Sequence, residues 1–158
     1  MSSLPTLGPR GEGWVVIQGI LLVGVLAAGL VGPVDAGPAA PLFMALGLVL
    51  MAAGGLLALR GLLDLRGALT ALPHPRAGAS LVETGVYALV RHPIYGGIVI
   101  GSAGYGLVLR SPLAVAGAFV LLGFFRLKSA REEAWLVDHY EGYASYRART
   151  RRMLPYVY

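Results

Sequence analysis

Two short stretches of this 158-residue chain concentrate the side chains able to do chemistry. The first, residues 81–97, reads LVETGVYALVRHPIYGG and contains Glu83, Tyr87, Arg91, His92 and Tyr95. The second, residues 128–135, reads KSAREEAW and is followed by Tyr140, Tyr143 and Tyr146. Glu132 stands one helical turn after Lys128, so the two share a helix face. A carboxylate there suits ribose hydroxyls or an amine, and the neighbouring cation suits an anionic group. His92 precedes a proline, which biases it to extended backbone at a helix start. Its imidazole can give or take a hydrogen bond near neutral pH. Cysteine is absent, which removes disulfides, thiolate nucleophiles and Cys-ligated metals. His74, His92 and His139 lack zinc-ligand spacing, so no metal is expected. The plain alternative is interfacial anchoring, because Tyr, Trp and Arg gather at headgroup level in membrane proteins. It explains Trp135, the tail tyrosines and most tail arginines, but it explains Glu132 and Glu133 poorly. For Lys128 and Glu132 the plain alternative is a surface ion pair, worth a few tenths of a kcal/mol.

The elements that must position these groups are apolar. Hydrophobic residues make up 56% of the chain and charged ones 13%, against about 25% charged in soluble domains. That composition excludes a disordered chain, a disulfide scaffold and most soluble folds. A spanning helix needs about 20 mostly apolar residues. Trp14 to Val31, with Gln18 its only polar side chain, is the first such run, and Pro41 to Leu59 is the second. The first is longer than the apolar core of a cleaved signal, so it reads as a span. A third, shorter run from Pro93 to Leu109 is glycine-rich, and Gly97, Gly101 and Gly104 predict a small-residue packing face. Only Arg110 and Ser111 separate it from a fourth run starting at Pro112, which predicts an antiparallel hairpin. No breaker follows Phe125, so one long helix should continue through the second reactive stretch. Between the second and third runs lies a polar segment with Asp64, Arg66, Pro73, His74, Pro75, Arg76 and Gly78. The fold class is therefore all-α, a polytopic membrane bundle of about four spans with a cytoplasmic C-terminal helical extension, forming one domain over residues 1–158.

The net charge of +5 does not require nucleic acid as a partner. Four spans put Arg10, the bases from Arg60 to Arg91, and those from Arg126 to Arg152 on one side, leaving Arg110 alone on the other. The positive-inside rule places both termini, and with them the two reactive stretches, in the cytoplasm of a multi-pass protein. The expected partner is the lipid bilayer, whose anionic headgroups attract the Arg147–Arg152 cluster.

Gly85, Tyr87, Arg91, His92, Pro93, Tyr95 and Gly97 together resemble the RHPxYxG block of integral-membrane methyltransferases, which include isoprenylcysteine carboxyl methyltransferases and phospholipid N-methyltransferases. Glu132 and Glu133 are similar to that superfamily's acidic pair after a long helix. The ending, Tyr143, Tyr146, a basic run, then Leu154 and Pro155, is similar too. The resemblance covers about residues 80–155, the catalytic half. It implies methyl transfer dependent on S-adenosylmethionine, to a lipophilic acceptor whose reacting atom is a carboxylate, amine or thiol. Cofactor contacts would fall on Ser80, Leu81, Val82, Tyr87, His92, Pro93, Ile94, Tyr95 and Glu132. The arginine that faces a substrate carboxylate in those enzymes falls on Lys128, which keeps a cation but loses the bidentate fork, and Arg126 or Arg131 could substitute for it in binding the acceptor. Aromatic faces such as Tyr87 and Tyr95 can attract a sulfonium. Glu133 and His139 are the available general bases for an amine acceptor. Two other readings are a membrane NADPH-dependent reductase related to sterol reductases and a non-enzymatic scaffold paired through glycine faces.

Overall fold

A computed structural model describes residues 4–65, 70, 72, 78 and 80–154. Arg66, Pro73, His74, Pro75, Arg76 and Pro155 lie outside the described residues. The helices are α1 (Glu12–Val31), α2 (Ala40–Leu65), α3 (Pro93–Val108), α4 (Pro112–His139) and α5 (Tyr143–Arg149). Short 3-10 turns occupy Gly37–Ala39 and Gly85–Ala88. Among the described residues three helices are long and apolar enough to cross a membrane, the second running on from the Gly37–Ala39 turn. The third expected span, α3, has 16 residues and rises about 24 Å, short of the ~30 Å hydrocarbon layer. By contrast α4, at 28 residues, rises about 42 Å. Pro93 and Pro112 start α3 and α4, positions where a missing N–H costs nothing.

The main packings are α2 on α3, α3 on α4 and α4 on α1, so the helices stand in the row α2, α3, α4, α1. Glycines bring α2 and α3 to backbone contact. A Cβ on Gly54 would lie 2.5 Å from the Gly97 carbonyl oxygen, and one on Gly97 would lie 2.5 Å from that of Gly54. Gly47 and Gly104 meet in the same way further along. The small-residue face expected on α3 is thus real at Gly97 and Gly104, and Gly101 contributes its backbone, which passes against Gly54. At the hairpin, Ser111 Oγ accepts from Ala114 N at 3.2 Å and caps α4. Val16, Ile20, Val23 and Leu30 of α1, with Leu48, Val49 and Leu56 of α2, point outward, a surface suited to lipid.

Because α2 runs antiparallel to α3, and α1 to α4, the start of α1, the end of α2, the start of α3 and the second half of α4 share one end of the bundle. Both reactive stretches lie there. A small core seals that end: Trp14, Leu121, Phe124, Phe125 and Met153 pack together with Tyr95.

Candidate active site

The segment leading into α3 is held from three sides. Asp64, in the last turn of α2, accepts from Val86 N at 2.7 Å. This fixes the turn at Gly85, whose φ of +62° favours a residue without Cβ. The Tyr87 hydroxyl donates to the Gly61 carbonyl at 3.3 Å, and Tyr146 donates to the Tyr87 carbonyl at 2.8 Å. The chain after α5 then runs parallel to residues 89–92. Arg91 N donates to Arg151 O at 2.9 Å, His92 N to Arg152 O at 2.8 Å, and Arg151 N to Leu89 O at 3.0 Å. Gly96 leaves room for the Met153 carbonyl to approach α3. Burial is the main cause that raises the Tyr87, Tyr143 and Tyr146 hydroxyls well above the usual phenol range. They therefore remain hydrogen-bond donors across the physiological range.

Two adjacent carboxylates on α4 face different partners. Glu133 is buried and accepts from Arg91 Nε at 2.9 Å, with Arg147 at 3.3 Å and Arg152 at 3.4 Å. Glu132 stays partly exposed and accepts from the Tyr95 hydroxyl at 2.9 Å. His92 lies between them, with Nε2 3.2 Å from Glu133 and Nδ1 3.7 Å from Glu132. Arg91 also donates to the carbonyls of Arg147, at 3.0 Å, and of Thr150. One guanidinium thereby ties the end of α5 to Glu133. The Tyr95 ring stacks on His92 at 5.4 Å and on Phe125 at 4.6 Å.

The structure brings together Tyr87, His92, Pro93, Tyr95 and Glu132 of the residues expected from sequence. Ile94 packs its Cγ1 over Gly61 of α2, beside the Pro93 ring and the Tyr87 hydroxyl. Ser80, Leu81 and Val82 occupy non-helical chain before the Gly85 turn, with Ser80 exposed. Lys128 is buried, and its ammonium donates to Gln18 Oε1 of α1 at 2.5 Å rather than pairing with Glu132. Arg131 lies 4.2 Å over the Trp135 ring, along α4 and not over the carboxylates. The free aromatic face expected of Tyr95 is engaged by Phe125, His92 and, at 5.0 Å, Lys128. Glu133, an expected general base, is committed to arginines. The ties of Arg91 to the tail and of Gln18 to Lys128, and the burial of Tyr143, which the sequence offers only as an interfacial anchor, emerge from the packing. Tyr143 is fully buried, and its hydroxyl has no hydrogen-bond partner among the described residues.

An all-helical membrane bundle with a carboxylate–histidine–tyrosine cluster at one end defines the class. The sequence profile of the phospholipid methyltransferase family matches residues 42–142, and the chain belongs to that family. It is similar to protein-S-isoprenylcysteine O-methyltransferase B of Arabidopsis thaliana, 37% identical over 79 residues, which are 49% of this chain and 40% of the relative. The protein-S-isoprenylcysteine O-methyltransferase of Homo sapiens is 36% identical over 80 residues, 49% of this chain and 28% of the relative. That of Saccharomyces cerevisiae is 35% identical over 79 residues, 49% and 33%. The matched stretch is thus well under half the length of these curated relatives.

Proposed function

We propose that this chain transfers a methyl group from S-adenosylmethionine to a lipophilic acceptor held against the bilayer. The observation that carries the proposal is the state of Glu132. Tyr95 and His92 approach one of its oxygens, and the other oxygen has no partner among the described residues. A part-exposed carboxylate with an open oxygen fits ribose hydroxyls or the amino group of such a cofactor. The orphaned Tyr143 hydroxyl, buried near both carboxylates, adds a donor of the kind a polar cofactor needs. The cofactor supplies a methyl group on a positively charged sulfur, open to in-line attack.

The chain's own residues then act by positioning. Glu132 receives the cofactor's polar groups, and Tyr95 and His92 fix the direction of its carboxylate. Glu133, through Arg91, Arg147 and Arg152, holds α5 and the segment after it against the start of α3. The core of Trp14, Phe124 and Phe125 keeps the site closed towards the bundle interior. The bases at this end of the bundle support a cytoplasmic site with both termini on the same side, where a water-soluble cofactor is available.

Titration of S-adenosylmethionine into the purified chain tests the reading. Glu132→Gln and His92→Ala should each weaken binding about tenfold or more, the equivalent of one charge-assisted hydrogen bond. Unchanged affinity in both, with melting temperatures intact, would return these residues to interfacial anchoring.

A further inference from the structure

We propose that anionic phospholipid headgroups dock on the exposed arginines of α5 and the chain after it, and that docking draws Arg149 off Glu83 and so frees residues 80–84. The consequence for cofactor exchange rests on the methyl-transfer reading; the docking itself does not. The tail carries a surplus of positive charge. Residues 143–154 contain Arg147, Arg149, Arg151 and Arg152 and no acid. Among the described residues their ion pairs run to two carboxylates, Arg149 to Glu83, and Arg147 and Arg152 to Glu133. Glu133 also pairs with Arg91, so three guanidiniums share that one buried charge. Arg151 is exposed, and its side chain has no partner among the described residues.

Position selects the partner. Arg151 N donates to Leu89 O, and Arg91 N and His92 N donate to Arg151 O and Arg152 O. The arginines therefore stand where the chain enters α3. The apolar run begins there, at Pro93, which is the level where lipid headgroups meet the hydrocarbon layer. Leu89, bonded to Arg151 through the backbone, is an exposed apolar side chain. A cation beside an exposed leucine at that depth matches a phospholipid, which offers an anionic phosphate and an acyl chain together. A soluble polyanion would match the arginines and leave Leu89 unmatched.

The ion pair of Arg149 with Glu83 joins α5 to the segment before the Gly85 turn, where the family resemblance puts Ser80, Leu81 and Val82 against the cofactor. Its side chains are 53% and 36% exposed, and an ion pair so open to water contributes little. One arginine gains a comparable amount beside an anionic leaflet, so headgroups can take Arg149 at little net cost. The rest of the tail stays in place. Arg91 still holds the carbonyls of Arg147 and Thr150, and the backbone bonds to residues 89–92 remain. Asp64 still holds Val86, which confines the new freedom to the residues before the turn. Under the methyl-transfer reading, this opens a route by which spent cofactor leaves at the membrane surface.

Spin labels at Thr84→Cys and Ala148→Cys test the inference. The chain has no cysteine of its own, and both positions are exposed. The full chain is placed, without cofactor, in nanodiscs of phosphatidylcholine or of an equal mixture with phosphatidylglycerol. The label-to-label distance, read by pulsed electron resonance, should lengthen and broaden in the mixture. Arg149→Gln should give the longer distribution in both lipids. Arg151→Gln should leave the phosphatidylcholine distribution unchanged and reduce the shift. Affinity of the wild type for S-adenosylmethionine should fall about fivefold in the mixture, the equivalent of one arginine's attraction to an anionic leaflet. The same distances in both lipids would overturn the inference, as would an equal shift on adding inorganic phosphate to the phosphatidylcholine discs. Failure to bind S-adenosylmethionine in either lipid would instead overturn the functional reading, and the distances would still decide the docking.

Discussion

Removing the charge of Glu133 should loosen the hold on residues 143–154. Glu133 is 1% exposed, and its partners Arg91 and His92 are 7% and 5% exposed. Breaking a buried ion pair by removing one partner costs about 3–5 kcal/mol, because the other charge stays buried. Arg147 is half-exposed, and such a contact adds at most about 1 kcal/mol. Gln in place of Glu keeps an acceptor oxygen towards Arg91, which puts the expected loss near the low end, about 3 kcal/mol. At about 2–4 °C per kcal/mol for a chain of this size, Glu133→Gln should melt roughly 10 °C lower. The loss should be local first. Residues 143–154 are held through Arg91, whose guanidinium bonds both Glu133 and the carbonyls of Arg147 and Thr150. Hydrogen exchange in detergent should therefore rise in that segment while the α2–α3 contact stays protected. A melting temperature within about 2 °C of wild type, with unchanged exchange at residues 143–154, would refute the reasoning.

Two further outcomes follow from the packing and the charge pattern. Gly97→Val should abolish folding, because its Cβ would meet the Gly54 oxygen at 2.5 Å and the Ala58 nitrogen at 2.7 Å; Gly24→Ala, facing open space, serves as the control that should leave thermal unfolding in detergent unaltered. Sidedness reporters joined at Asp35 and after Leu154 should give opposite readings, with the latter cytoplasmic, and matching readings from both would reject the topology.

The helices were legible because apolar runs and prolines mark them directly. Pro93 and Pro112 start α3 and α4 where the sequence places them. The end of α2 was legible only in outline: apolar counting stops at Leu59, and the short extension that the polar segment allows runs to Leu65. Those six further residues set Gly61 under Pro93 and Asp64 against Val86, so Asp64 serves the site rather than solvent. The acidic pair was visible, but its division of labour was not. Adjacent helical residues point about 100° apart, and only the packing decides which of them reaches Tyr95 and which the tail. Arg91 stood out as part of its block, but its tethering role did not, because its partners at Arg147, Thr150 and Glu133 lie 42–59 residues away, beyond any local pattern. Gln18 did leave a signal, one amide in an otherwise apolar span. Its meaning depended on Lys128 turning to α1 instead of along its own helix to Glu132.

Methyl transfer is tested most directly by incubating the purified chain with methyl-labelled S-adenosylmethionine and membrane lipid extracts, then counting label in the organic phase. The account predicts incorporation into a lipophilic product with the wild type, reduced about tenfold or more at limiting cofactor by Glu132→Gln. A folded wild-type chain that binds no cofactor and transfers no label to any extract would contradict it.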